Sequence, residues 1–434
     1  RRGAEPHDSG GPGHCPQGIG VVTLRAMLKR ILLVTLAVLT VCVAGVAVTA
    51  SRAGQNLEAP YPQIERDDSP EGLRRGAAIF HAMCESCHRA PDSVTASGAQ
   101  MKDVPAFLGT FYSANITSHQ QAGIGALPDS AVARVIRFGV TRDGRKSVMG
   151  FGMADSDIAA VLGFLRSGDP LFAPSPAVAP RSELTLTGKL LLMAMGQLEV
   201  PGRPAVGIGL PVRSDKLAYG RYLAHDLYDC AGCHTDGFAA DKDRGESAFA
   251  GGFEFPDGAG GTLTSPSLRL ARGARAGWTS VDLGRALRDG LRPDGSPLRY
   301  PMVRFRGLED DEVEALYAYL RSIGDDGASH PEATPPPQVA PQAAAPGPRV
   351  VKGREHEAFE ALGCAACHRE GAPFHANFVA ARGKPVDDVA AWIRRPQDTK
   401  PGTPMPSYES LLSPDEARLL AAWAVEPAPR AGRR

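Results

Sequence analysis

Cys84-Glu85-Ser86-Cys87-His88 is the stretch on which the reading of this chain turns, because the sequence writes it three times. The second copy is Cys230-Ala231-Gly232-Cys233-His234 and the third is Cys364-Ala365-Ala366-Cys367-His368. Together they use six of the eight cysteines, and the other two, Cys15 and Cys42, lie in the N-terminal segment. Disulfide pairing is the default for an exported chain with an even cysteine count, but it does not explain a histidine after every pair. Zinc asks for four ligands per site, and no second cysteine pair lies near any copy to complete one.

A Cys-x-x-Cys pair at the end of a helix puts its two sulfurs about one turn apart on one side. Each thiol can then add across one vinyl group of a single porphyrin, with the following imidazole aimed at the iron. The copies therefore predict three covalently attached c-type haems. Cys84, Cys87 and His88 hold the first, Cys230, Cys233 and His234 the second, and Cys364, Cys367 and His368 the third. A thioether on the far side of the iron raises its potential and closes the site to substrate, as an electron carrier requires. Met405 stands between Pro404 and Pro406, which restrict its loop. Met302 follows Pro301, with no other methionine between its haem motif and the end of that repeat. In the first repeat Met149 and Met153 both precede the closing helix. Aligning Met149-Gly150-Phe151 with Met302-Val303-Arg304-Phe305 selects Met149, with Met153 as the alternative.

Other candidates carry less. His81, His119, His225 and His375 could serve a bis-histidine site, yet none recurs at an equivalent place in all three repeats, so they read as surface or helix-face residues. Trp278 reads first as a core residue and second as a donor to a haem propionate. The acidic run Glu309, Asp310, Asp311, Glu312 and Glu314 reads as a solvated face that suits a helix N-terminus, with a docking surface as the second reading.

The repeats set the organisation. A first domain over 69–167 opens with a helix from Pro70, capped by Ser69, and continues with helices over 129–138 and 156–166. A second over 215–324 repeats the plan, with helices over 217–227, 281–291 and 309–321. A third over 351–425 is shorter and closes on a helix announced by the capping box Ser413-Pro414-Asp415-Glu416. Residues 168–214 form a linker with a short apolar run, Leu190–Met195, too short to span a bilayer. Residues 325–350 are Pro- and Ala-rich and form a semi-rigid tether. The fold class expected is all-α, three tandem class I-type cytochrome c domains behind an N-terminal hydrophobic helix.

That helix is an address. Residues 31–50 are almost unbroken aliphatic sequence after Arg25, Lys29 and Arg30. About 20 apolar residues span a bilayer, more than a cleaved signal needs, and the basic flank puts the chain beyond Ala50 outside the cytoplasm. The expectation is a signal-anchor over 27–53 in a bacterial inner membrane, with the haem domains in the periplasm; the alternative is cleavage at the small residues near Val48, Thr49, Ala50 and Ala53. Met27 reads as a natural start, and residues 1–26 as a gene-model extension. The 48 basic and 48 acidic side chains cancel, so no global field argues for nucleic acid. Gly 49, Pro 37 and only 6% aromatics suit small, loop-rich domains.

With these motifs in place, the chain resembles the three-haem cytochrome c subunits of bacterial membrane-bound alcohol and gluconate dehydrogenases, over roughly residues 70–425. The resemblance rests on the three haem motifs and on Tyr112-Ser-Ala-Asn-Ile-Thr117 followed by Gly123-Ile-Gly125. It rests also on Tyr300-Pro-Met302, Asp310–Arg321 and Pro401-Gly-Thr-Pro-Met-Pro406. Met149 departs from the pattern in lacking flanking prolines, as does Ser265-Pro-Ser-Leu268 in place of Asn-Ile-Thr. The resemblance implies small all-α cytochrome folds, methionine as distal ligand, and a partner dehydrogenase catalytic subunit as electron donor. Ubiquinone or a terminal oxidase is the acceptor it implies. The alternative function is a multihaem redox enzyme, a peroxidase or sulfur-compound oxidase with one open-coordinate haem.

Overall fold

The computed structural model describes residues 19–90, 93–101, 104–147, 149–237, 245–256, 261–271, 273–299, 301–323, 349–372, 374–400, 403 and 405–426. Residues 1–18, Cys15 among them, and nearly all of the Pro- and Ala-rich segment 325–350 lie outside these residues. The chain divides into two compact units, residues 1–53 and 54–434.

In the first unit, helix α1 runs Ile19–Arg52. Its stretch Met27–Val46, 20 residues with mean hydropathy 2.1, is long and apolar enough to cross a membrane. Cys42 lies within this helix.

The second unit is helix-rich. The first haem motif sits between α2 (Pro70–Met83) and α3 (Glu85–His88). The Ser69 hydroxyl accepts from the Gly72 N–H at 3.0 Å, and Pro70 takes the first helical position, where no N–H is needed. Helices α4 (Asp129–Phe138) and α5 (Asp155–Leu165) complete the repeat. α2 packs on α5 so closely that a Cβ on Gly76 would lie 2.0 Å from the Ala160 carbonyl oxygen. A ladder that all-α expectations missed, β1 (Gly109–Thr110) with β2 (Glu183–Leu184), ties residues 168–214 back to this repeat. The apolar run expected in that segment lies in α6 (Leu186–Ala194), where Gly188 sits against the Leu108 carbonyl. Asn115 Nδ2 donates to the carbonyls of Ser175 and Ala177, so the segment is folded on the first repeat rather than strung between two.

The second repeat copies the first. α7 (Lys216–Tyr222) runs into a π-helical turn, Leu223–Leu227, and then α8 (Cys230–Cys233). After the ladder β3 (Glu254–Pro256) with β4 (Thr262–Thr264) come α9 (Ser280–Asp289) and α10 (Asp310–Ser322). Gly220 meets the Ala315 carbonyl at the same 2.0 Å that separates Gly76 from Ala160. One apolar core runs through both repeats, including Phe80, Phe164 and Phe172 from the first and Tyr219, Leu223 and Leu316 from the second.

The third repeat has its own core. It contains α11 (Glu355–Ala361), α12 (Ala365–His368), α13 (His375–Val379), α14 (Val386–Arg394), α15 (Pro396–Thr399) and α16 (Pro414–Val425). Ser413 and Glu416 form the expected capping box. α16 lies against α14, and the Tyr408 hydroxyl donates to the Leu362 carbonyl at 3.0 Å.

The acidic run at the start of α10 is solvated at Glu309, Asp310 and Glu314, as expected, but Glu312 turns inward. Glu312 is fully buried and bonds Arg75 of the first repeat at 2.6 Å. Around it, Arg213 pairs with Asp311 at 3.1 Å and Arg288 with Asp310 at 2.7 Å.

Candidate functional site

Each cysteine pair lies at the step from one helix into a short second one, and the histidine follows directly. The His88 N–H donates to the Cys84 carbonyl at 2.9 Å, His234 to Cys230 at 2.9 Å, and His368 to Cys364 at 3.0 Å. One helical turn thus separates the first cysteine from the histidine in all three copies. None of the six cysteines is disulfide-bonded. Burial pushes the Cys84, Cys230 and Cys364 thiols up to about 12, so they stay protonated at neutral pH.

The imidazoles are aimed by the backbone. His88 Nδ1–H donates to the Ala114 carbonyl at 2.8 Å, His234 Nδ1–H to Pro266 at 2.8 Å, and His368 Nδ1–H to Phe374 at 3.0 Å. A carbonyl can only accept, so each ring carries its proton on Nδ1 and presents Nε2 as a base. Burial lowers all three histidines, His234 to about 4, which keeps the rings neutral. A neutral imidazole fixed by a second-sphere acceptor is the form in which histidine ligates a metal.

Sequence reading did not find these acceptors. Ser113 and Ser265 are their markers. Ser113 exchanges backbone and side-chain bonds with Ala99, and Ser265 does the same with Phe253. Each serine precedes the residue whose carbonyl receives the histidine. The change from Ala114-Asn115 to Pro266-Ser267 therefore leaves this contact intact, because it uses a main-chain atom.

The methionines lie in the same apolar surroundings. Met149, Met302, Cys84 and Cys230 line the core shared by the first two repeats, half-buried; Cys364 and Met405 line that of the third. The Phe151 N–H donates to Ile136 and the Phe305 N–H to Leu287, three residues before the helix-ending Gly139 and Gly290. That pairing puts Met149 and Met302 on equivalent loops. Met153 is 1% exposed, within the core, and its carbonyl accepts from Arg137 at 2.5 Å. In the third repeat Trp392 Nε1 donates to Met405 Sδ at 2.8 Å.

The remaining candidates have other occupations. His81 bonds Glu85 at 2.6 Å and His225 bonds the Tyr319 hydroxyl at 2.6 Å. His119 Nδ1 accepts from two backbone N–H groups, and His375 Nδ1 contacts the His368 carbonyl. The Trp278 ring takes the Arg275 guanidinium at 5.7 Å. Among the described residues no group of three or more His, Cys, Asp or Glu side chains gathers in the geometry of a metal-ion site.

No protein-family model matches the chain. Among curated proteins, the cytochrome c subunit of the quinone alcohol dehydrogenase of Gluconacetobacter polyoxogenes is 25% identical over 366 residues, covering 78% of this chain and 74% of that protein. The gluconate 2-dehydrogenase cytochrome c subunit of Pantoea cypripedii is 26% identical over 333 residues, 71% of this chain and 72% of that one. The chain is thus similar to the cytochrome c subunits of alcohol and gluconate dehydrogenases. A nicotinate dehydrogenase subunit of Pseudomonas putida is also similar, 28% identical over 313 residues. The chain spans only 24% of its length, although 69% of the chain is aligned. What this chain shares with that larger protein is therefore one part of it.

Proposed function

We propose that this chain is a membrane-anchored electron carrier made of three tandem cytochrome c domains, each holding one covalently attached haem. The observation that carries the reading is the threefold recurrence of a Cys-x-x-Cys-His turn whose histidine gives its Nδ1 proton to a backbone carbonyl. Cys84 and Cys87, Cys230 and Cys233, and Cys364 and Cys367 are the attachment pairs, and His88, His234 and His368 the proximal ligands. Met149, Met302 and Met405 are the distal ligands, with Met153 kept as packing. The donor set fits the group: two thiols one turn apart, a neutral imidazole with a free Nε2, and a thioether in one apolar lining.

Bound haem supplies a one-electron ferric/ferrous couple. The chain's own residues fix how that couple is used. His88, His234 and His368, with Met149, Met302 and Met405, would each supply a protein ligand to a bound iron and so would leave no position for a substrate. The apolar side chains around Cys84, Cys230 and Cys364 exclude water, which favours the reduced form. Electron transfer, rather than bond-making chemistry at an open iron, is the activity this arrangement supports.

The homologous subunits belong to dehydrogenases by name, which supports a catalytic dehydrogenase subunit as donor. A quinone or terminal oxidase is the acceptor. α1 holds the chain in the bacterial inner membrane, with the haem domains on the periplasmic side, by the charge flank before Ile31. Isolation of the native chain from membranes, with optical spectra and identification of bound partners, tests this. Low-spin haem throughout and a co-purifying dehydrogenase are expected; a high-spin ferric haem in the resting protein would favour the enzyme instead.

A further inference from the structure

A half-buried lysine and a buried arginine sit beside the methionine loops of the first and second repeats, and no alignment brings them together. Lys146 comes three residues before Met149; Arg304 comes two residues after Met302. Both reach the same place. Gly139 and Gly290 close α4 and α9 at φ +65° and +75°, the left-handed region that favours glycine. A Cβ on Gly139 would lie 2.6 Å from Lys146 Nζ, and one on Gly290 would lie 1.9 Å from Arg304 Nε. At Gly290 the guanidinium fills the space the glycine leaves; at Gly139 Lys146 shares it with the Met149 carbonyl, 1.9 Å from such a Cβ.

From there each cation bonds the methionine's own carbonyl. Lys146 Nζ donates to Phe138 at 3.0 Å and to Met149 at 3.5 Å. Arg304 Nη1 donates to Met302 at 3.1 Å and Nη2 to Leu298 at 3.4 Å. The loops that these bonds close are anchored alike, by Ser147 N–H to Gly139 and Leu298 N–H to Gly290, both at 2.7 Å. Neither cation has a carboxylate hydrogen-bonded to it among the described residues, and Arg304 is 4% exposed with its Nε unpartnered. Asp289 acts on Arg304 through space only. Desolvating a charge carries a cost that an aliphatic residue in either space would not incur, so packing alone does not account for a cation at both places.

We propose that Lys146 and Arg304 are positioning residues for the distal methionines, each clamping the main chain of its methionine and placing a fixed positive charge beside the iron. The proposal rests on Met149 and Met302 being ligands. A nearby cation disfavours the ferric state, which carries one more positive charge, and so raises the potential. Two unrelated sequence positions thus deliver one electrostatic device. The third repeat has another, the Trp392 N–H on the sulfur of Met405.

The test uses the full-length, haem-loaded protein in detergent, with Lys146→Gln, Lys146→Leu, Lys146→Arg and the matching set Arg304→Gln, Arg304→Leu, Arg304→Lys. The readouts are the methionine-to-ferric-iron charge-transfer band and the three midpoint potentials by spectroelectrochemistry. Gln and Leu at either position should weaken the band and lower a potential by a tenfold change in equilibrium, about 59 mV for one electron. The charge-retaining variants should restore both. A wild-type protein without the band overturns methionine ligation and the proposal with it. A wild-type protein with the band, and Gln or Leu variants that keep its band and potentials, overturn the proposal alone.

Discussion

Arg75→Ala should destabilise this protein strongly, because the Arg75 guanidinium joins two buried carboxylates from different repeats. Arg75 Nε bonds Asp157 at 2.9 Å within the first repeat, and its Nη1 bonds Glu312 of the second at 2.6 Å. The three side chains are 14%, 4% and 0% exposed. Removing the guanidinium leaves two carboxylates buried without a cation, a change that costs about 3–5 kcal/mol. The Tyr219 and Tyr222 hydroxyls still donate to Glu312 and Asp157, at 2.8 and 2.5 Å, which holds the loss to the lower part of that range. At about 2–4 °C per kcal/mol, the melting temperature should fall by roughly 6–14 °C. Thermal unfolding followed by far-UV circular dichroism at neutral pH measures the loss. A melting temperature within about 2 °C of wild type would refute the reasoning.

Three further outcomes follow from the geometry. Gly220→Ala places a methyl 2.0 Å from the Ala315 carbonyl and should destabilise by about 1–3 kcal/mol in denaturant titrations, as should Gly76→Ala against Ala160. Ser113→Ala removes the hydroxyl that donates to the Cys87 carbonyl at 2.6 Å and accepts from the Ala99 N–H, at a cost of about 1–3 kcal/mol. Trp392→Phe removes the N–H from the sulfur of Met405, and spectroelectrochemistry should show one haem potential lowered while the other two hold.

Much of the helical plan was legible because caps and turns are local chemistry. Ser69 before Pro70, and Ser413 three residues before Glu416, announce their helices within one turn. The π-helical turn was not legible as such. Cys84 follows Gly76 by eight positions, whereas Cys230 follows Gly220 by ten. Both glycines must meet the closing helix, so the extra residues are taken up at Leu223–Leu227. The ladders β1–β2 and β3–β4, two and three residues long, are too short to show an alternating pattern. At the site, the cysteines, histidines and methionines are visible by type and spacing. Their supports are not: Glu312 is joined to Arg75 across 237 positions, and the histidine acceptors Ala114, Pro266 and Phe374 act through main-chain oxygens that any residue carries.

The most direct test of the whole account is the intact mass of the full chain made in cells that mature c-type cytochromes. The account predicts a polypeptide carrying three tetrapyrroles, one of them lost when Cys84 and Cys87, Cys230 and Cys233, or Cys364 and Cys367 are both changed to alanine. A polypeptide mass with no added tetrapyrrole, or one unaffected by these replacements, would contradict it.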